Sequence, residues 1–283
     1  MVNHYDKLNG KSAAMIKSII YEQIKIKYSK YINKMEGNPP VVIPVKDPDP
    51  VPTIHPDLHP NLPQVDGFGG GALVLLVSPV RTGKSTLISN MLLNDKFYDA
   101  QDRFDNTTII SNTIANDITS RFLRKAFDTH DAYDDSIING IVEQQKSYDK
   151  EDQPEIAVVL DDCLGSIRRE AKINHLASRF RHFNIKLLVI SSQNFRACSP
   201  IIRQNATNVI VGSPFPNQKE LGKMAEEYGY VFGGADNWMK IYGLATPNRY
   251  DFLHMSFQDN PPRAYRNFET LIAEGSNILN SPE

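Results

Sequence analysis

The run Ser78-Pro79-Val80-Arg81-Thr82-Gly83-Lys84-Ser85 sets a lysine and a hydroxyl directly behind a glycine, a spacing suited to holding a triphosphate. It matches the phosphate-loop pattern Gly-x-x-x-x-Gly-Lys-Ser/Thr except at the first glycine, where Ser78 stands. An apolar run precedes it and a helical run, Thr86 to Leu93, follows, so loop and helix N–H groups converge on one anion. Lys84 is expected to reach the β- and γ-phosphates of ATP, and the Ser85 hydroxyl to ligate Mg²⁺. Gly83 lets the backbone approach without a Cβ. The nucleotide-holding set is therefore Ser78, Arg81, Thr82, Gly83, Lys84, Ser85 and Thr86. Ser78 in place of glycine demands an ordinary φ there.

A second apolar run, Ile156 to Leu160, ends in Asp161-Asp162. One carboxylate at such an edge can hold a hydrated Mg²⁺, and a second can polarise an attacking water. Asp161 is assigned to the metal and Asp162 to the water. A third run, Lys186 to Ile190, ends in Ser191-Ser192-Gln193. If that strand lies between the other two, Gln193 faces the γ-phosphate and can orient water. Arg179, Arg181, Arg196 and Arg203 cluster around this strand. An arginine from a neighbouring subunit would neutralise transition-state charge, and Arg181 and Arg203 are the candidates.

These residues need a scaffold that brings several strand ends together. Short β-rich runs at 72–77, 107–111, 156–161, 186–191 and 207–211 alternate with helix-length segments, which predicts an α/β domain with a mostly parallel sheet. Ligands of such sheets sit at the carboxyl ends of the strands, where these motifs lie. The ATPase domain is read as 67–283. Ahead of it, residues 11–35 carry Ile16, Ile20, Ile24, Tyr28 and Ile32 among lysines, predicting a basic amphipathic helix within 1–38. Nine of the 18 prolines follow between Pro39 and Pro63, so 39–66 is read as a semi-extended linker. His55 and His59 in that linker read as spacer rather than metal ligands.

With 31 Lys+Arg against 33 Asp+Glu, the chain is no bulk-charge nucleic-acid coat, and any DNA contacts must be local. Cys163 and Cys198 are too few for a disulfide framework and read as buried apolar residues in a reducing compartment. No apolar run approaches the ~20 residues that cross a bilayer, and the polar start is no signal peptide.

The phosphate loop, Val158 to Asp162, Arg181 to Ile185 leading to Gln193, and Ile201 to Ala206 together resemble the poxvirus-type genome-packaging ATPases of large DNA viruses and virophages. These are members of the FtsK–HerA superfamily of P-loop NTPases, with an additional-strand, RecA-like fold. Segments at 251–255 and 265–269 are similar to that family's closing strands. The resemblance implies a homo-oligomeric ring that hydrolyses ATP to drive double-stranded DNA, without sequence specificity, into a preformed capsid. It also implies location in the host cytoplasm or virion, with capsid or inner-membrane proteins as possible partners of the N-terminal helix. Lys146, Lys150, Arg168, Arg169 and Lys172 are candidate channel contacts to phosphates. A cellular-type translocase would keep every site assignment. A nucleotide switch or a small-molecule kinase are the other classes; against a GTPase-type switch, no Asn-Lys-x-Asp run selects guanine.

Overall fold

The computed structural model describes residues 58, 61–66, 70–115, 119–164, 167 and 171–279. The helix read at 11–35, most of the proline-rich segment, His55, His59, Arg168 and Arg169 lie outside the described residues.

Ten strands form one sheet in the order β10-β9-β8-β7-β6-β1-β5-β4-β2-β3. Six are parallel: β1 (Ala72–Val77), β2 (Asn106–Ser111), β3 (Asp128–His130), β4 (Ile156–Asp161), β5 (Ile185–Ser192) and β6 (Asn208–Gly212). Four add antiparallel beyond β6: β7 (Phe252–Ser256), β8 (Arg263–Arg266), β9 (Thr270–Glu274) and β10 (Asn277–Ile278). All five sequence-read runs are strands, with ends moved by one residue at most.

The central strands are apolar throughout because both faces are covered. Every residue of β1 and β4 is buried. Alternate β1 residues feed two cores. Leu73, Leu75 and Val77 pack with Leu176, Ile202, Leu221 and Trp238 from the helices on one face. Ala72, Val74 and Leu76 pack on the other with Ile88, Met91 and Leu92 of the helix Lys84–Leu93. The period of two along each strand thus meets a different helical layer on each side.

Leu58, Leu62 and Val65 are also buried in this second core. Within the segment read as a linker over 39–66, these three apolar side chains pack against the helix behind the phosphate loop. Tyr98 reinforces the anchor, its hydroxyl donating to the Pro63 carbonyl at 2.7 Å.

Candidate active site

The loop between β1 and the helix Lys84–Leu93 takes its shape from two left-handed residues, Arg81 (φ 61°) and Gly83 (φ 90°). Gly83 caps the helix without a side-chain hydrogen bond, which leaves the first N–H groups directed at the loop's centre. Ser78 keeps an ordinary φ, as its substitution for glycine requires. Its N–H donates to the Ser192 carbonyl at 2.9 Å, tying the loop to the end of β5. Its hydroxyl hydrogen-bonds Thr82, whose own hydroxyl reaches the Pro79 carbonyl at 2.6 Å. The serine is accommodated by Gly212 on neighbouring β6, where a Cβ would come within 2.9 Å of the Ser78 Cβ.

Strand register supplies the rest. Leu76 pairs with Ser191 and Leu160 with Ile190, so β1, β5 and β4 end at one level. Lys84 is 8% exposed, and its ammonium lies against Asp162 Oδ1 and 3.7 Å from Asp161 Oδ1. No well-directed hydrogen bond saturates Nζ. Gln193 Nε2 donates to Asp162 Oδ2 at 2.8 Å. Lys84, Asp161, Asp162 and Gln193 thus form one constellation, and β5 lies between β1 and β4, the condition on which the expected role of Gln193 depended.

The two acids differ in environment. Asp161 is buried and accepts from Ser191 Oγ and, at 3.4 Å, from Ser111 Oγ. Burial pushes its carboxyl above the usual range, while Lys84 and the Ser191 hydroxyl pull it back. Asp162 has a left-handed backbone (φ 55°), tolerated by an aspartate, and its N–H donates to Ser191 Oγ at 3.1 Å. Ser191 therefore braces both acids. Its sequence signal was its place in the Ser-Ser-Gln strand end, but nothing there said which carboxylate it would face.

Ser85 is half-buried on the helix's first turn, and Arg81 and Thr86 are exposed. Among the described residues no group of three or more His, Cys, Asp and Glu could hold a metal unaided. The donors near the loop, the Ser85 hydroxyl and the Asp161 carboxylate, are hard oxygens that fit Mg²⁺, which usually takes one or two protein ligands and completes its shell with phosphates and water.

The arginines part company. Arg181 is exposed in the turn Phe180–Phe183 that enters β5. It lies about 25 Å from the Gln193 end of that strand, given ~3.3 Å per residue. It cannot reach its own chain's loop. Arg203 is held within the chain, 3.0 Å from Glu227 and 4.7 Å over the Phe195 ring, with 14% of its side chain exposed. Arg196 pairs with Glu220, and Arg179 is exposed. Lys146, Lys150 and Lys172 are exposed, with Lys146 paired to Glu143. Cys163 and Cys198 are buried, and burial pushes each thiol up to about 12.

A cavity of about 730 Å³ opens from the loop, its polar lining including Ser78, Thr82 and Lys84 and its aromatic lining Phe97, Tyr250 and Phe252. Sequence reasoning missed the aromatic lining. A second cavity, of about 450 Å³, abuts Asn106, Asp128 and Ile156, the first residues of β2, β3 and β4, at the wrong end of the sheet for these motifs.

No protein-family model matches the chain. The uncharacterized protein 075L of Invertebrate iridescent virus 6 is 28% identical over 210 residues, covering 70% of this chain and 77% of that protein. The genome-packaging NTPase B204 of Sulfolobus turreted icosahedral virus 2, solved in complex with AMP, superposes with a TM-score of 0.52 at 17% identity, over 70% of this chain and 98% of that one. B204 of Sulfolobus turreted icosahedral virus, a DNA-packaging ATPase, gives 0.51 at 17% identity, over 69% and 97%. The chain shares its fold with viral genome-packaging NTPases, a resemblance that its strand-end motifs had already suggested.

Proposed function

We propose that this chain is an ATP-hydrolysing DNA translocase that packages a double-stranded viral genome into a preformed capsid as a homo-oligomeric ring. The observation that carries the reading is β5 between β1 and β4, which sets the Gln193 amide on Asp162 beside the buried ammonium of Lys84. That arrangement suits hydrolysis better than simple binding. Phosphate oxygens compete with the two carboxylates for Lys84, whose Nζ has hydrogen-bonding capacity in hand. Asp162 then accepts a proton from a water that Gln193 orients. Ser85 and Asp161 would hold Mg²⁺, which when bound neutralises charge on the β- and γ-phosphate oxygens. The fold shared with B204, named as a packaging NTPase, supports DNA as the object moved and a virus as the setting. No helix among the described residues is long and apolar enough to cross a membrane.

With a formal net charge of −2, the grip on DNA comes from a few channel-facing cations on phosphates, not from base reading. Arg181, exposed at the far end of β5, is the better placed arginine for a neighbour's site; Arg203 would first have to leave Glu227. The test is ATP hydrolysis by the full chain titrated with long duplex DNA. Turnover rises with DNA because channel occupancy orders the subunit interfaces. Equal rates with and without DNA, where rings form, would favour a switch or a small-molecule kinase.

A further inference from the structure

The cavity beside the phosphate loop has two chemically distinct linings, polar and apolar, and only the polar one has a role so far. The apolar wall is made by Leu87 and Phe97 from the loop's own helix and its sequel, by Phe252 of β7 and by Tyr250 in the turn before it. Tyr250 touches the loop: its Cδ1 lies 3.5 Å from where a Cβ on Gly83 would stand. Tyr250 is 56% exposed, so its ring is accessible from the cavity, whereas Trp238, Tyr98, Phe195 and Phe232 are almost completely buried. Its backbone is left-handed (φ 74°), a conformation a tyrosine adopts only when its surroundings impose it.

Those surroundings are specific. Asp251 Oδ2 accepts from the Asn248 N–H at 3.0 Å, from Asn248 Nδ2 at 3.2 Å and from Arg266 Nη2 at 3.0 Å. Its Oδ1 accepts from Asn267 Nδ2 at 3.3 Å. The turn is thus pinned to β8 and the residue after it, which fixes Tyr250 at the cavity. The Arg249 guanidinium lies 4.9 Å over the same ring, adding a planar cation to the platform.

We propose that Tyr250 is the nucleobase platform of the nucleotide site, stacking the base of a nucleoside triphosphate whose phosphates reach Lys84. The inference rests on the phosphate site proposed above and extends it to the other end of the ligand. The apolar lining offers ring faces and aliphatic surface, and stacking of that kind tolerates any base. Adenine and guanine nucleotides are therefore both accepted.

The experiment measures affinities of the full chain for Mg·ATP, Mg·GTP and magnesium tripolyphosphate, the last a probe with phosphates and no base. Tyr250→Ala should weaken ATP and GTP alike by about tenfold or more, in the range of base–aromatic stacking, and shift tripolyphosphate by less than twofold. Tyr250→Phe should retain wild-type affinity for all three. An equal loss for ATP and tripolyphosphate would make Tyr250 a support for the loop at Gly83 and overturn the proposal, as would undiminished ATP binding by Tyr250→Ala. Wild-type protein that binds neither ATP nor tripolyphosphate would instead overturn the phosphate site, and the platform with it.

Discussion

The parallel and antiparallel halves of the sheet divide the work differently. In the parallel half, β1, β4 and β5 end at one level, and each hands a polar side chain to the same point. The antiparallel half contributes nothing to that charged cluster. It supplies the wall across the cavity, Tyr250 and Phe252, and a densely aromatic interior in which His254 stacks on Tyr265 and meets Phe268 edge-on. Chemistry thus resides in strand ends that must agree in level, whereas shape resides in strands that must agree in packing. The two halves meet where β7 pairs antiparallel with β6. One strand in from that border is the β1–β6 seam, where Ser78 fits only because Gly212 has no side chain.

The contrast is sharpest under substitution of Asp162. Asp162→Asn keeps the hydrogen-bonding shape around Gln193 and removes the proton acceptor, so turnover should fall about 10²- to 10⁴-fold with nucleotide affinity held within a few-fold. Steady-state ATPase rates beside equilibrium nucleotide binding check this. Turnover within a factor of three of wild type would move the base elsewhere.

The seam gives the next largest effect. Gly212→Ala drives a methyl into Ser78 and should cost about 1–3 kcal/mol of stability, as overpacking does. Adding Ser78→Gly should recover most of it. Urea unfolding of the two single variants and the double variant measures the coupling; additive losses would mean that the seam is not a matched pair.

A third effect, graded with pH, probes the antiparallel half. His254 is fully buried, its Nε2 lies 2.9 Å from Asn208 Oδ1, and burial holds its pKa down to about 3 from 6.5. The unfolded chain binds a proton below 6.5 that the folded chain refuses, so this contribution is complete above pH 6.5. It fades as pH falls toward 3, at up to about 1.4 kcal/mol per pH unit. Asp161 acts with the opposite sign, since its carboxyl is pushed up. The difference between wild type and His254→Gln isolates the histidine. Identical slopes for the two between pH 7 and 4.5 would show that the ring is protonated in place.

The legibility of the two halves in the sequence follows the same division. Strands covered on both faces are continuous apolar runs, and Val158-Val159-Leu160 or Leu188-Val189-Ile190 cannot be read as much else when a polar pair follows. That made Lys84, Asp161, Asp162 and Gln193 visible as candidates, and register alone brought them together. The three-residue edge strand β3 and the two-residue β10 are too short to show a period. Tyr250 had no local signal at all. Its place depends on β7 pairing with β6 and on Asp251 reaching Arg266 and Asn267, contacts between residues 15 and 16 apart. The engagement of Arg203 by Glu227 was hidden for the same reason, being settled by how two helices pack.

The central claim is that Lys84 and the twin acids serve one magnesium-bound triphosphate. A structure of the chain with Mg²⁺ and a non-hydrolysable ATP analogue tests it most directly. Lys84 Nζ is expected on the terminal phosphates, Ser85 and Asp161 on the metal side, and Gln193 and Asp162 facing the γ-phosphate. A triphosphate seated elsewhere, with Lys84 still on Asp162, would contradict it.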